Sequence, residues 1–215
     1  MLIKELIALF SAMQLIKPGI FELYFGPMTS GKTKALIDRV EKIRYMPNHN
    51  FVFFAPECNS RDAKLQSRFG AFSIDCVFVK SPEEILARVE EIEQKIPIQL
   101  VGIDEVQFFP NSIRDVIVEL LKRSKNVVAG GLNLDFRGEP FGCMPYVLSI
   151  ANEYHPLTAV CGFPACIVPA TRTQRLINGN PAPYDAPIVS VEGVKSDETY
   201  QARCIFHHKV PKRMI

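Results

Sequence analysis

Short apolar runs alternate with amphipathic stretches through the first two-thirds of the chain. Phe21 to Phe25, Phe51 to Ala55, Cys76 to Val79, Gln99 to Ile103 and Asn126 to Ala129 are near-continuous and rich in valine, isoleucine and phenylalanine. Strands buried on both faces have this character. Between them, Lys32 to Arg44, Pro82 to Lys95 and Ser112 to Lys122 carry apolar residues at helical spacing. The second of these has its own start signals: Ser81 to cap, Pro82 at the first helical position and Glu84 to complete a capping box. Such alternation predicts an α/β fold, a mostly parallel sheet with helices on both faces.

The texture changes near Ile150. From Tyr154 onward prolines, cysteines, glycines and threonines replace the apolar runs, and Leu176 to Arg203, with Asn178-Gly179, Pro181, Pro183 and Pro187, reads as turns and a long loop. A tail of this kind has too little apolar content for a core of its own and calls for a staple. The predicted organisation is an N-terminal extension (1–19), an α/β domain (20–152) and a small C-terminal domain (153–215). At 215 residues, 47% hydrophobic and 22% charged, the chain is in the globular range. Its formal charge of +2 falls entirely after Ile150 and is too slight to imply a nucleic-acid partner. No run reaches the ~18 apolar residues of a membrane span. Met1 to Ile16 is apolar but broken by Lys4 and Glu5, so a surface helix, an oligomer contact or an over-long start fits it better than a secretory leader. A cytoplasmic protein is expected.

Gly26-Pro-Met-Thr-Ser-Gly31-Lys32-Thr33 matches G-x-x-x-x-G-K-[ST] between a predicted strand and a predicted helix, the setting the motif requires. Backbone N–H groups of such a loop face phosphate oxygens at a helix N-terminus. Lys32 would reach the β- and γ-phosphates and the Thr33 hydroxyl would ligate Mg²⁺. Leu100 to Ile103 then ends in Asp104-Glu105. An acid there holds Mg²⁺ in phosphate-loop proteins, which assigns Asp104. Glu105 is left as a base for an alcohol acceptor or as an orienter of water. Those two roles divide a kinase from an ATPase, and the pair alone does not choose.

Six cysteines in a reducing compartment argue against a disulfide framework. Cys161-x4-Cys166 and Cys204-x2-His207, with His208 beside it, form two chelating knuckles, a four-ligand zinc site of the structural kind. Buried free thiols are the plain alternative. His207 is favoured over His208 because Cys-x2-His sets both ligands on one tight turn.

Together these segments resemble the cytosolic-type (type II) thymidine kinases, from about Phe21 to Pro211. The resemblance rests on the phosphate loop, Ile103-Asp-Glu-Val-Gln-Phe-Phe109, Gly131-Leu-Asn-Leu-Asp-Phe-Arg-Gly-Glu-Pro-Phe-Gly142, Ala170-Thr-Arg-Thr-Gln-Arg175 and Tyr200-Gln-Ala-Arg-Cys204. It implies a P-loop (RecA-like) domain with a small zinc-stapled lasso domain enclosing the nucleoside. The implied reaction is ATP-dependent phosphorylation of thymidine at its 5′-hydroxyl, in deoxynucleoside salvage for DNA synthesis, with Glu105 as general base and Arg61 as a phosphate clamp. Gly26, Pro27, Met28, Thr29, Ser30, Gly31, Lys32, Thr33, Asp104 and Gln107 would hold ATP and Mg²⁺. Met28, Phe108, Leu132, Phe136, Phe141, Thr173 and Tyr200 would hold the nucleoside, and Cys161, Cys166, Cys204 and His207 the Zn²⁺. A homotetramer inhibited by thymidine triphosphate is also implied, with thymidine preferred over purine nucleosides and deoxycytidine.

Three features depart from the family pattern. Ala55 and Asn59 stand where a lysine and an aspartate are usual, the first knuckle is two residues longer than Cys-x2-Cys, and Met1 to Gly19 is longer than a typical start. The runner-up reading is a small phosphate-loop ATPase whose zinc tail binds nucleic acid or protein. The tail lacks the dense Lys/Arg set of a nucleic-acid grip, and one α/β domain is half of what a helicase needs. A GTP-dependent switch would need a guanine-reading motif that the chain lacks.

Overall fold

The computed structural model describes residues 19–47, 49–57, 64–66, 73–189 and 197–211. The expected extension up to residue 18, Cys58, Asn59 and the candidate clamp Arg61 lie outside the described residues. Six parallel strands form the central sheet: β1 (Phe21–Phe25), β2 (Phe51–Pro56), β4 (Ser73–Val79), β5 (Leu100–Ile103), β6 (Asn126–Gly131) and β7 (Glu153–Pro156). A short β3 (Lys64–Gln66) adds antiparallel to β4, giving the order β3-β4-β2-β5-β6-β1-β7. The α/β architecture is therefore the one the alternating pattern predicts.

Among the described residues the α-helices are α1 (Lys32–Glu41), α2 (Pro82–Glu93), α3 (Ile113–Lys122) and α4 (Met144–Ile150). Strand side chains alternate between two cores, as a period of two requires. Phe21, Leu23, Phe54, Ile103 and Val127 pack against α2, α3 and α4. Phe53, Leu100 and Val128 pack on the other face with Leu36, Ile37 and Val40 of α1. α1 ends earlier than its apolar spacing predicts, and Lys42–Tyr45 continue as a 3-10 turn. At α2 the expected capping box is modified. Ser81 is the N-cap without a side-chain capping bond, and Glu84 accepts from the N–H of Lys80, one residue earlier.

The sheet runs past residue 152, because Glu153–Pro156 pairs with β1 in parallel. These residues are mostly exposed, as an edge strand allows, and carry none of the apolar run that marks the inner strands. The tail is more ordered than its composition suggests. β10 (Arg172–Ile177) pairs antiparallel with β11 (Asn180–Pro181) through the turn Asn178-Gly179, both at positive φ, and along its whole length with β12 (Glu198–Arg203). β8 (Ala159–Val160) and β9 (Pro169–Ala170) make a second, two-stranded ribbon. Gln174 grips the end of the described chain, donating to the carbonyl of Lys209 and accepting from its N–H, each at 2.8 Å.

β1 is anchored at its start by an asparagine. Oδ1 of the Asn152 side chain accepts from the N–H of fully buried Phe21 at 2.9 Å, and the backbone N–H of Asn152 donates to the Phe21 carbonyl at 2.9 Å. Removing that acceptor leaves a buried donor unpaired. Asn152→Ala is expected to lower unfolding stability by about 1–3 kcal/mol, read from urea denaturation, whereas Asn152→Asp keeps the acceptor and should retain most of it.

Candidate functional site

Parallel strands that share a direction bring their C-terminal ends to one side of the sheet, where ligands bind in open α/β folds. Here β1 and β5 flank β6, with Phe25 opposite Gly131 and Ile103 opposite Ala129. The segments that follow β1 and β5, Gly26 to Thr33 and Asp104-Glu105, therefore emerge side by side.

Gly26 must be a glycine. A Cβ there would sit 2.2 Å from the carbonyl oxygen of Leu157. Gly31 caps α1 at φ 84, and Thr29 is also left-handed at φ 62. Lys32 is buried and folds back over its own loop, donating to the carbonyls of Gly26 at 3.1 Å and Pro27 at 2.8 Å. The Ser30 hydroxyl is buried without a hydrogen-bond partner among the described residues. Loop N–H groups at the start of a ten-residue helix, a lysine and a spare hydroxyl suit the phosphates of a nucleotide.

The Thr33 hydroxyl donates to Asp104 Oδ2 at 3.2 Å. Asp104 is buried, and burial together with the negative charge of Glu105 pushes its carboxyl up to about 7, against the pull of Lys32 and Thr33. An oxygen pair of this sort, hydroxyl plus carboxylate, is the hard-ligand chemistry that Mg²⁺ takes. Glu105 follows in the left-handed region at φ 50, ψ 42, a conformation costing a non-glycine residue on the order of 1–2 kcal/mol. The 3-10 turn Val106–Phe108 holds it there, and Gln107 donates to Glu105 Oε2 at 2.5 Å. Gln107 is itself fixed, because its Oε1 accepts from the N–H of Leu132 at 3.0 Å. A Cβ on Gly131 would meet that oxygen at 2.7 Å. The family resemblance places Gln107 among the nucleotide residues; in the structure its amide bonds Glu105 at one end and the N–H of Leu132 at the other.

The expected nucleoside residues lie on five parts of the chain: Met28 in the phosphate loop, Phe108 in the 3-10 turn, Leu132, Phe136 and Phe141 after β6, Thr173 on β10 and Tyr200 on β12. Thr173 of β10 accepts at its hydroxyl from the N–H of Met28 at 3.0 Å, tying the tail to the phosphate loop. Tyr200 of β12 pairs with Arg175, two residues along from Thr173. Phe108 and Phe141 meet edge to face, with centroids 5.4 Å apart. Phe136 is buried against Ala182 and Ala186, with the guanidinium groups of Arg137 and Arg175 at 5.3 and 5.5 Å from its ring centre. Asp135 shapes that segment by accepting from the N–H groups of Arg137 and Glu139. Sequence patterning missed Gly130, Gly131 and Arg175. A glycine pair ending an apolar strand is the available sign for the first two, and Arg175 ends the segment Ala170-Thr-Arg-Thr-Gln-Arg175, which resembles the family but assigns that arginine no role.

Cys161, Cys166, Cys204 and His207 place their ligand atoms within 4.8 Å of one another. Arms of ~2.3 Å to sulfur and ~2.0 Å to nitrogen set tetrahedral edges of roughly 3.8 Å between sulfurs and roughly 3.5 Å from sulfur to nitrogen. The Cys166–Cys204 sulfurs are 3.8 Å apart, and His207 Nδ1 is 3.3 and 3.8 Å from the Cys204 and Cys161 sulfurs. The donor set fits zinc. Burial would raise the Cys161 thiol, but the N–H groups of Cys204 and Phe163 and the His207 ring bring it down to about 6. His208 turns away, its Nε2 2.8 Å from the carbonyl of Phe136. A second grouping, Glu22, Glu153 and His155, is already engaged, since Arg39 bonds both carboxylate oxygens of Glu22.

A family model described as thymidine kinase matches residues 19–208. A thymidine kinase of Coprothermobacter proteolyticus is 41% identical over 198 residues, 92% of this chain and 94% of that protein. A thymidine kinase of Thermococcus kodakarensis is 39% identical over 194 residues, 90% and 95% of the two chains.

The metal cluster makes a direct expectation. Protein purified without chelator should carry one zinc per chain by elemental analysis, His207→Ala should lose most of it, and His208→Ala should keep it.

Proposed function

The chain belongs to the thymidine kinase family, a family of ATP-dependent phosphotransferases, and we propose that it phosphorylates thymidine at the 5′-hydroxyl with Glu105 as general base. The observation that carries this reading is the placement of Glu105 next to Asp104, which touches Thr33 of the phosphate loop, with the Glu105 carboxylate gripped by Gln107. The 5′-oxygen attacks the γ-phosphorus as the bond to the β,γ-bridging oxygen breaks, and ADP leaves. Glu105 receives the hydroxyl proton. Gln107 engages Oε2, so Oε1 is the oxygen assigned to the proton. Lys32 and the loop N–H groups hold the phosphates in line. Thr33 and Asp104 would hold Mg²⁺, which neutralises charge building on the transferring group.

In this reading Met28, Phe108, Leu132, Phe136, Phe141, Thr173 and Tyr200 enclose the nucleoside, and Cys161, Cys166, Cys204 and His207 hold a structural Zn²⁺. The α/β portion binds ATP and the tail encloses the acceptor. The reading extends to a role in deoxynucleoside salvage for DNA synthesis, in the cytoplasm, by a homotetramer subject to inhibition by thymidine triphosphate. No helix among the described residues is long and apolar enough to cross a membrane.

Formation of ADP from ATP should depend on thymidine; equal consumption without it would mean an ATPase. Glu105→Gln should lower kcat by about 10²–10⁴-fold while leaving thymidine and ATP binding near wild type by calorimetry. Near-normal turnover in that variant would remove Glu105 from the role.

A further inference from the structure

Arg175 stands at the middle of β10 and is only 2% exposed. An arginine cannot shed its charge, so a buried one must be paired and hydrogen-bonded or it destabilises the fold. Its partners come from three separated stretches of chain. Nη1 donates to the carbonyl of Pro187, and Nη2 donates to Glu198 Oε1 at 2.5 Å. The guanidinium also lies 5.5 Å from the centre of the Phe136 ring, the distance of a cation–π contact. Across the β10–β12 pair Arg175 is directly opposite Tyr200. Directly opposite residues share a face, as do residues two apart on a strand. Thr173, Arg175 and Tyr200 therefore line one face, and Thr173 holds the phosphate loop through Met28.

The set of bonds is incomplete. Arg175 Nε is buried and finds no hydrogen-bond partner among the described residues. A brace for stability alone gains nothing from a buried N–H left unpaired. An apolar side chain packed in its place often matches or exceeds a buried ion pair in stability. What an apolar replacement would lose is geometry: a planar fork that fixes Pro187, Glu198 and the Phe136 ring relative to one another.

We propose that Arg175 is the positioning residue of the nucleoside pocket, holding Phe136 and the Tyr200 strand at the separation that the acceptor requires. This rests on the thymidine kinase reading above. Arg175 touches neither substrate in this scheme. It acts through the ring of Phe136 and through β12, so its loss should weaken capture and alignment of the nucleoside. The nucleotide side, built on β1, α1 and β5, should be spared.

The test is steady-state kinetics on full-length protein with either substrate varied, alongside zinc content and thermal midpoint, for wild type, Arg175→Met, Arg175→Lys and Glu198→Gln. Arg175→Met should raise the KM for thymidine by about 10- to 100-fold, the scale of an ångström's misplacement. The KM for ATP should stay within about twofold, with one zinc per chain retained. Arg175→Lys keeps the charge but loses the fork and should show most of the same thymidine defect, which a role through charge alone would not produce. Glu198→Gln keeps shape and an acceptor oxygen; it should fold even if Arg175→Met does not, and should raise the thymidine KM selectively by a smaller factor. A thymidine KM unchanged in the folded variants overturns the proposal. So does a parallel rise in both KM values accompanied by loss of zinc or of the thermal transition, which would mark a structural brace. If the wild type itself fails to phosphorylate thymidine, the functional reading fails and takes this proposal with it. An active wild type with a selective thymidine defect in the variants supports both.

Discussion

The parallel pairing of β1 and β5 on either side of β6 is the constraint on which the site depends. With all three strands running the same way, the phosphate loop and the Asp104-Glu105 pair have to emerge at one end of the sheet, one strand apart. β6 finishes there in Gly130 and Gly131, where a Cβ would come within 3.1 Å of Asp104 Oδ1 and 2.7 Å of Gln107 Oε1 respectively. A side chain at either position would push an acidic or amide group out of place. The left-handed backbone at Glu105 is tolerable because both neighbouring side chains are pinned, Asp104 by Thr33 and Gln107 by the Leu132 N–H.

The tail solves a different problem. It has few large buried side chains, and its order comes from specific ties rather than from apolar area. One tie is the cysteine–histidine cluster, over which Phe163 stacks on the His207 ring at 3.9 Å. Another is Gln174 on Lys209, and a third is the Tyr184 hydroxyl on Glu139 at 2.6 Å. Directional ties hold geometry well but add little stability one by one, since each replaces a bond to water. A segment so built suits a surface that must take one shape around a ligand while remaining easy to open.

The α/β portion was legible because its inner strands are buried on both faces and so are near-continuously apolar, with exceptions such as Glu22, which Arg39 pairs. Phe21 to Phe25 and Leu100 to Ile103 are short, apolar and bounded by turn residues, which favours strands over helices. Edge strands lack that signature. Glu153–Pro156 is mostly exposed and Lys64–Gln66 is three residues long, so neither stands out from a loop. Met144–Ile150 is too short to establish a helical period, and Glu198–Arg203 has no apolar run because it is the edge strand of a small sheet and is mostly half-exposed. Residues whose chemistry is local, such as Lys32, Thr33 and the cysteine pairs, could be assigned by spacing. Arg175 could not. Its importance lies in the distance in sequence to its partners, Phe136, Pro187 and Glu198, and no local pattern encodes that.

The bond from the Met28 N–H to the Thr173 hydroxyl joins a loop of the first portion to a strand of the second across 145 residues of chain. Hydrogen bonds weaken steeply once donor and acceptor part beyond about 3.5 Å, so this one is a gauge set half an ångström from its limit. While β10 sits where it does, the amide is spoken for and the loop is held in a single shape. A small retreat of β10 would hand that N–H to solvent or to an incoming oxygen. The phosphate loop and the tail are thus joined at this one amide, and the shape of the loop around Met28 is set in part by a residue 145 positions away.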